Sequence, residues 1–294
     1  MSKIRSDVIY RGCVYIILTV MAIFIFLPVW LVFSASITEN TEITLKGYSF
    51  WPEQFSLSAY SYILMNSSRV LNAYKNSVLV TLIGTVLHLF LTATYAYPLS
   101  RRDFKYRKFF TFFVFFTMLF NGGVVPSYLL WSKYIGIGDT LWAMIFPNFL
   151  MSAFNVLLVR NYYMNTIPES ILEAARIDGA SEIKCFCKIV LPLSGPVLAT
   201  ITLMVSLTYW NDWTNSLYYI SSQRNYNIQY FLMQLMSNVK ALSSGIASDL
   251  KAGEVPSESL RMAVAFVGIL PVLIIYPFIQ KYLIKGTVLG AVKG

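Results

Sequence analysis

Six apolar runs, each long enough to cross a lipid bilayer, constrain this chain more than any other feature of its sequence. A transmembrane helix needs about 20 mainly apolar residues, and an apolar run of about 18 or more residues is the usual signal for one. The six runs occupy residues 12–35, 77–99, 109–131, 140–159, 193–213 and 262–279. The sequence therefore predicts an all-α membrane protein in which six transmembrane helices form a single domain over residues 1–294.

The composition favours a membrane protein over soluble, disordered or nucleic-acid-binding classes. Hydrophobic residues make up 56% of the chain and charged residues only 13%, about half the charged fraction of a soluble domain. Disordered chains are polar and poor in aromatic residues, whereas 16% of this chain is aromatic. The net charge of +9 is scattered among apolar runs, so we expect no nucleic-acid partner.

The first apolar run has some features of a secretory signal. Lys3, Arg5 and Arg11 precede it, and the Ser34-Ala35-Ser36 triplet resembles a cleavage site. A signal peptide, however, has an apolar region of about 7–15 residues, and this run is longer. We therefore expect it to be retained as a membrane span.

The positions of Lys and Arg predict that both termini lie in the cytoplasm, since cytoplasmic loops are enriched in these residues. On this orientation 15 of the 23 basic residues fall in the inside segments, which are 1–11, 100–108, 160–192 and the tail 280–294. The two long outside loops are then residues 36–76 and 214–261. We expect these loops to meet partners outside the membrane or to remain unpartnered.

The inside segment 166–192 has the pattern of two short helices joined by a glycine turn. Thr166 and Glu169 form a capping box with Pro168 in the first turn, and Asp178-Gly179 ends this helix because glycine tolerates the left-handed conformation. One side of the helix is polar and the other apolar. The polar side carries Glu169, Glu173 and Arg176; the apolar side carries Ile167, Ile171, Ala174 and Ala175.

Ser181 is placed to cap the second short helix of this segment. An apolar face at helical spacing follows, and Lys184 and Lys188 point away from it. This face comprises Ile183, Phe186, Cys187 and Val190. The periodicity leaves two interpretations open, a docking site for another protein and an interfacial loop without a partner.

The same segment resembles the EAA motif of bacterial ABC importer permeases. It has Glu173-Ala174-Ala175, three residues, Gly179, nine residues, Ile189, one residue and Leu191-Pro192. In that family this loop is the coupling helix, which docks in a cleft of a cytoplasmic ATPase. The resemblance assigns ATPase coupling to Glu173, Ala174, Ala175, Asp178, Gly179, Ile189, Leu191 and Pro192. It also implies the fold of a type I ABC importer permease.

Further stretches are similar to the MalG-like subunits of binding-protein-dependent carbohydrate uptake. They are IPES before the EAA motif, NGGVVPSYLL, YWNDW and the C-terminal QKYLIKGTVLGAVKG, whereas the first 75 residues carry weaker motifs. The stretch RNYNIQYFLMQLM resembles subunits for polysaccharide or oligosaccharide uptake. The resemblance thus implies sugar transport across the bacterial cytoplasmic (inner) membrane.

The resemblance also implies a set of partners. They are a second, MalF-like permease, an ABC ATPase dimer, an extracytoplasmic sugar-binding protein, membrane lipid and the carbohydrate itself. Residues 240–257 would probe the binding protein, and the tail from Gly286 to Gly294 would reach between the ATPase subunits. The chain lacks the Gly-x4-Gly-Lys-Ser/Thr phosphate loop. We therefore expect no enzyme activity and no cofactor on this chain, with ATP and Mg used by the partner ATPase.

Two clusters of polar and aromatic residues are candidates for the substrate pathway. Asn121-Gly122-Gly123 interrupts the third run, and a broken helix is tolerated where its backbone lines a cavity or packs on protein. The stretch Tyr209 to Trp213 ends the fifth run with aromatic faces that stack on sugars; the alternative is an interfacial aromatic belt with Asp212 reaching water. The candidates are Asn121, Gly122, Gly123, Asn148, Tyr209, Trp210, Asn211 and Asp212.

Other chemistries have little support in the sequence. His88 is the only histidine, and we interpret it as a packing residue. Cys185 and Cys187 point to nearly opposite sides of a helix with Cys13 distant, so we expect no metal site. An ion-coupled transporter needs midplane charges, and an intramembrane enzyme needs acid–base groups; neither pattern is present. An ABC importer for a non-sugar solute remains an alternative.

Overall fold

The computed structural model describes residues 2–65, 67–147, 150–243 and 257–291, and these are mostly helical. In chain order the α-helices are α1 (Ser2–Ser36), α2 (Asn40–Lys46), α3 (Ser58–Leu64), α4 (Ser67–Ser100), α5 (Arg107–Leu119), α6 (Val124–Tyr128), α7 (Trp142–Ile145), α8 (Ala153–Thr166), α9 (Glu169–Ile177), α10 (Glu182–Cys185), α11 (Leu191–Leu193), α12 (Gly195–Asn211), α13 (Thr214–Tyr219), α14 (Ile228–Ser243) and α15 (Ser257–Ala291). Shorter elements are π-helical turns at Leu129–Tyr134 and Phe186–Val190 and a 3-10 turn at Gln223–Asn225.

Three helices in the described part of the chain are long and apolar enough to cross a membrane. They contain Tyr10–Ser36, Ser67–Ser100 and Glu258–Pro277. Two bent pairs raise the number of candidate spans to five, namely Arg107–Leu119 with Val124–Tyr134 and Glu182–Leu193 with Gly195–Asn211, which bend by 114° and 76°. These elements agree with a multi-pass protein, but six straight spans are not observed.

The third predicted span, residues 109–131, is broken where the sequence places Asn121-Gly122-Gly123. Helix α5 ends at Leu119, and its 13 residues cover about 20 Å, less than the hydrocarbon core of about 30 Å. The backbone N–H of Gly123 donates to the Asn121 side-chain oxygen at 2.8 Å. The polar side chain thus satisfies a backbone group that the interrupted helix leaves without a partner.

The fourth predicted span, residues 140–159, is not one helix. The short α7 ends at Ile145, and α8 begins only at Ala153. Pro147 lies between them; it lacks a backbone N–H, and its ring disfavours helical backbone in the preceding residue. Helix α8 also continues to Thr166, so the start of the predicted inside segment 160–192 is helical. The C-terminal tail predicted from residue 280 likewise extends α15 to Ala291.

The chain divides into two compact units, residues 1–70 with 232–271 and residues 71–231 with 272–294. In the first unit, the predicted outside loop is an ordered structure. The Glu42 carboxylate accepts the backbone N–H groups of Glu53 and Gln54 at 3.1 and 2.8 Å. Asn40 accepts the backbone N–H of Glu258 at 2.9 Å and thereby satisfies a free donor at the start of α15.

The second unit packs its core around α4, α8 and α12. Its fully buried side chains include Tyr163, Tyr209, Leu99, Ile201, Val156 and Leu172. Helices α4 and α12 approach closely at Gly84, because a Cβ there would lie 2.5 Å from the ring of Tyr209. The Tyr209 hydroxyl donates to the Ile145 carbonyl at 3.1 Å. Gly84 therefore makes room for the Tyr209 ring, whose position is fixed by the backbone of α12 at one end and by its hydroxyl hydrogen bond at the other.

We predict that Gly84→Ala destabilises the protein by about 1–3 kcal/mol, the usual result of overpacking. Gly195→Ala is the matched control, since nothing lies within 4 Å of a Cβ at Gly195. The midpoint of thermal unfolding in mild detergent measures both variants. An unchanged midpoint for Gly84→Ala would show that the Tyr209 ring is free to shift.

Candidate functional site

The segment 166–192 forms two short helices joined by a tight turn, as the sequence predicts. Helix α9 ends at Ile177, and Asp178 follows as its C-cap. Gly179 has a φ of 80°, which an L-residue with a side chain adopts only with strain. The N–H groups of Gly179 and Ala180 donate to the Arg176 and Ala175 carbonyls at 3.0 and 2.9 Å. These bonds satisfy carbonyls that the helix end would otherwise leave free.

One of the two predicted helix starts is correct. Ser181 caps α10, where its Oγ accepts the backbone N–H of Lys184 at 3.4 Å. The predicted capping box at Thr166 and Glu169 is wrong, because Thr166 is the last residue of α8 and Pro168 is the residue before α9. Only Ile167 and Pro168 separate α8 from α9. Thr166 therefore belongs to α8 and is not the N-cap of α9.

The apolar residues of the two short helices do not face the sides that periodicity predicts. In α9, Leu172 is buried, but Ile171 and Ile177 are 43% and 86% exposed. Beyond the turn, in α10, Ile183 is 77% exposed. The loop therefore carries an exposed isoleucine at each side of its glycine turn, on the surface of the described chain.

The predicted apolar face of the second helix is buried in part. Val190 is fully buried and Phe186 packs against the core, as predicted, whereas Ile183 and Cys187 are exposed and Cys185 is buried instead. After Cys185 the chain forms a π-helical turn over Phe186–Val190. A π-turn has a wider repeat than the 3.6 residues of an α-helix, so the α-helical spacing misassigns the buried positions.

The residues assigned to ATPase coupling divide between the surface and the core. Glu173, Ala174, Asp178, Gly179, Leu191 and Pro192 are exposed, whereas Ala175 and Ile189 are half-buried. Ala175 and Ile189 pack against the buried core of the second unit. The two packed residues thus attach the loop to the core of its own chain, and the other six are accessible at its surface.

An ionic network attaches the loop to the end of α4, and sequence analysis missed it. The Arg176 Nε lies 2.7 Å from Glu182 Oε1, and its Nη2 lies 3.1 Å from Asp103 Oδ2. The Tyr97 hydroxyl donates to the other oxygen of Glu182 at 2.7 Å. The Arg176 and Tyr97 donors hold the pKa of the Glu182 carboxyl below its usual value. These residues line a cavity of about 450 Å³ beside the loop.

The residues near the end of the fifth run are mostly buried. Tyr209, Trp210 and Asp212 are 1%, 6% and 5% exposed, and only Asn211 of the four candidates is exposed. Asp212 Oδ1 accepts the N–H groups of Thr214 and Asn215 at 3.0 and 3.1 Å. Asp212 therefore does not reach water, and it holds the start of α13 instead.

A second cavity, of about 270 Å³, lies where α4, α8 and α12 meet. Asn155 and His88 are hydrogen-bonded there at 3.0 Å, and both are buried. Ser152, Thr208 and Tyr209 also line the cavity. The histidine is thus a packing residue with a polar partner, as predicted. Of the remaining pathway candidates, Asn121, Gly122 and Gly123 are exposed at the helix break, and Asn148 lies outside the described residues.

Within the ranges that the structure describes, His, Cys, Asp and Glu side chains form no cluster of three that could hold a metal ion. Cys185 is buried and Cys187 is exposed, which places the two thiols on different sides of the chain. The described residues thus offer an exposed loop and two cavities, each of which is mainly apolar with a few polar side chains in its lining.

Comparison with known protein families identifies what the chain is similar to. Residues 89–288 match the family described as "Binding-protein-dependent transport system inner membrane component". The matched range includes the whole loop 166–192, helices α8 and α12, and α4 only from residue 89 to its end at Ser100. The family likeness therefore covers the loop and most of the cavity lining.

Individual relatives match along almost their whole length. The polygalacturonan/rhamnogalacturonan transport system permease protein YtcP of Bacillus subtilis (strain 168) is 40% identical over 282 residues, covering 96% of this chain and 97% of YtcP. Protein LplC of the same organism is 33% identical, covering 100% and 98%. A crystal structure of a bacterial ABC transporter involved in the import of the acidic polysaccharide alginate contains a chain with a TM-score of 0.77 at 31% identity, covering 95% of this chain and 98% of that one.

We predict that Asp212→Ala lowers the free energy of unfolding by about 1 kcal/mol, as loss of a capping oxygen does. Asp212→Asn keeps an oxygen that accepts the same two N–H groups, so its stability should stay near that of the wild type. The midpoint of thermal unfolding in detergent compares the two. Equal losses in both variants would contradict the capping role and point to the charge itself.

Proposed function

The chain belongs to the family of binding-protein-dependent transport system inner membrane components, and from this membership we propose that it carries oligosaccharides or fragments of polysaccharides as one permease subunit of an ABC importer. It is a multi-pass protein of the inner membrane, with the fold of an ABC importer permease. Relatives named for polygalacturonan, rhamnogalacturonan and alginate support the saccharide class.

Coupling to an ATPase is the mechanism that the exposed side of the loop supports. Ile177 and Ile183 are the most exposed apolar side chains of this loop, and a partner that covers them would remove their apolar surface from water. Glu173 is exposed one helical turn before Ile177 and can accept charge-assisted hydrogen bonds from basic or backbone donors. An ABC ATPase dimer that binds ATP and Mg then moves this loop when it closes.

In this proposal a second permease subunit forms the other half of the translocation pathway. No part of the most apolar window of Tyr10–Ser36 is buried inside the described chain, so its side chains face lipid or another subunit. A MalF-like partner meets such a surface, and an extracytoplasmic sugar-binding protein delivers cargo outside. Six spans and cytoplasmic termini complete the proposed topology. The proposed contacts of residues 240–257 and of the tail Gly286–Gly294 fall largely outside the described side chains.

The substrate pathway in this proposal combines the helix break with the cavity lined by His88, Asn155 and Tyr209. Asn121, Gly122 and Gly123 offer exposed backbone and an amide at the break. The hydroxyl and amide groups in the cavity lining suit a sugar. Trp210 and Asp212 follow Tyr209 along the chain and are buried, whereas Asn211 is exposed.

The experiment that tests the cargo uses the complete importer, purified with its own ATPase and binding protein and placed in lipid nanodiscs. ATP hydrolysis is measured with oligogalacturonate, alginate oligomers, maltotriose or a tripeptide. We expect one of the saccharides to stimulate hydrolysis by about tenfold, within the usual range of coupling between sites. Stimulation by the tripeptide alone would replace the saccharide assignment with a non-sugar solute. Solute uptake by this chain without any ATPase would instead establish an ion-coupled transporter.

Substitutions in the coupling loop test the ATPase contact. We predict that Gly179→Asp and Glu173→Lys each lower ATP-driven uptake by about tenfold or more, because one strains the turn and the other reverses a docking charge. Gly47→Asp is the matched control, since Gly47 also has a positive φ, of 81°, with open space around it. Uptake is assayed at equal amounts of membrane-inserted protein. Normal uptake by both loop variants would remove the loop from the mechanism.

A further inference from the structure

We propose that α4 transmits movement between the coupling loop and the outer segment 223–228, and that Arg176 and Asn76 are the positioning residues that fix its two ends. This proposal rests on the coupling role and the orientation proposed above. Arg176 occupies one of the unspecified positions of the EAA motif and Asn76 lies outside the motif; neither belongs to the proposed substrate pathway. The argument begins at the inner end of the helix.

At the inner end, Arg176 holds three pieces of chain together. It belongs to α9, its Glu182 partner begins α10, and its Asp103 partner lies just after α4. Glu182 is bonded in turn to Tyr97, within the last turn of α4. The Arg176–Glu182 pair therefore spans the turn at Gly179, and the Asp103 and Tyr97 contacts fasten both short helices to α4.

The Arg176–Glu182 ion pair stiffens the turn at Gly179, which would otherwise bend. The proposed docking residues, Ile177 and Ile183, lie on either side of it. A push at these side chains would change the angle between α9 and α10 if no side chain linked them. With Arg176 bonded to both Glu182 and Asp103, the two helices and the end of α4 move as one body.

At the outer end, α4 is bonded to backbone groups of the segment before α14. The Asn76 amide donates to the carbonyls of Arg224 and Tyr226 at 2.8 and 3.1 Å. The next residue, Ser77, accepts the backbone N–H of Ile228 at 2.8 Å. Asn76 and Ser77 are 8% and 2% exposed, so water competes little for these bonds. A displacement of α4 therefore displaces segment 223–228.

Between these two ends, α4 is a single uninterrupted helix. The 22 residues from Asn76 to Tyr97 span about 32 Å at a rise of 1.5 Å per residue, which is close to the thickness of the hydrocarbon core. Its backbone bonds are internal, and its close contact with α12 at Gly84 limits sideways movement. An α-helix of this kind carries a displacement along its axis without needing a chain of side-chain rearrangements.

The charges around Arg176 indicate a role in coupling rather than in folding. The side chains of Arg176, Asp103 and Glu182 are 33%, 61% and 54% exposed. Ion pairs with this exposure add little to the free energy of unfolding, so Arg176→Gln should fold and insert normally. A geometric role can be large even where the contribution to stability is small.

The test measures movement at the outer end of α4 in the complete importer in nanodiscs. Gln223, which is exposed, is replaced by Cys, and the exposed Cys13 and Cys187 are replaced by Ser. The probe is a membrane-impermeant maleimide, and the stimulus is ATP without magnesium, which fills the ATPase sites without hydrolysis. This readout needs no sugar, so it is independent of the cargo assignment.

We expect ATP to change the labelling rate at position 223 by about fivefold or more in the otherwise wild-type importer. Arg176→Gln and Asn76→Ala should each abolish most of this change, and the double variant should be no worse than either alone, because both act on one element. Two matched controls should respond normally. Arg102→Gln removes a more exposed cation that pairs with Glu169 at 3.6 Å, and Asn72→Ala removes an exposed amide one turn earlier on α4.

Three results would overturn the proposal, and they differ in what else they overturn. If ATP leaves labelling unchanged even without the Arg176 or Asn76 substitutions, the coupling role of the loop fails together with the transmission by α4. If ATP changes labelling in Arg176→Gln and in Asn76→Ala as much as it does in the otherwise wild-type importer, the importer stands and α4 is not the transmitting element. If the two substitutions have additive effects, their residues act by separate routes, which also contradicts a single connecting helix.

Discussion

Backbone N–H and C=O groups inside a lipid bilayer find no water, so each must be satisfied by the protein itself. This constraint explains both the long helices and the places where they stop. Helix α4 meets it with internal bonds along most of its length, as far as Pro98, which has no backbone N–H to donate. Where α5 ends, Asn121 supplies an acceptor to Gly123, and beyond α12 Asp212 does the same for the first residues of α13. Asn121 and Asp212, which have the appearance of sugar-binding residues, therefore satisfy backbone groups where helical bonding is interrupted.

The sequence was informative wherever a feature depends on neighbours along the chain. Apolar length predicted the spans in α1, α4 and α15, and local turn chemistry predicted Gly179 and Ser181 correctly. It failed where distant contacts decide the outcome. Arg176 was placed on an outward polar stripe, but its partner Asp103 lies 73 residues earlier in the chain.

Burial inside one subunit was equally hidden from the sequence. The aromatic pair Tyr209 and Trp210 has the composition of an interfacial belt, and only the packing of α4 against α12 shows that Tyr209 fills the space beside Gly84. Pro147 did signal an interruption, although the apolar length of residues 140–159 masked it. Hydrophobic length reports whether a segment prefers lipid or protein interior, and it does not distinguish a continuous helix from two short ones.

The exposed Ile177 and Ile183 also bear on how a cell handles this subunit before assembly. Until a partner covers them, two large aliphatic side chains remain in the aqueous phase at the membrane surface, where chaperones and proteases recognise apolar residues of incompletely assembled proteins. If the loop docks the ATPase as proposed, we expect the accumulation of the subunit to depend on the supply of that partner. Surplus copies would then be degraded, and the stoichiometry of the complex would be set after translation.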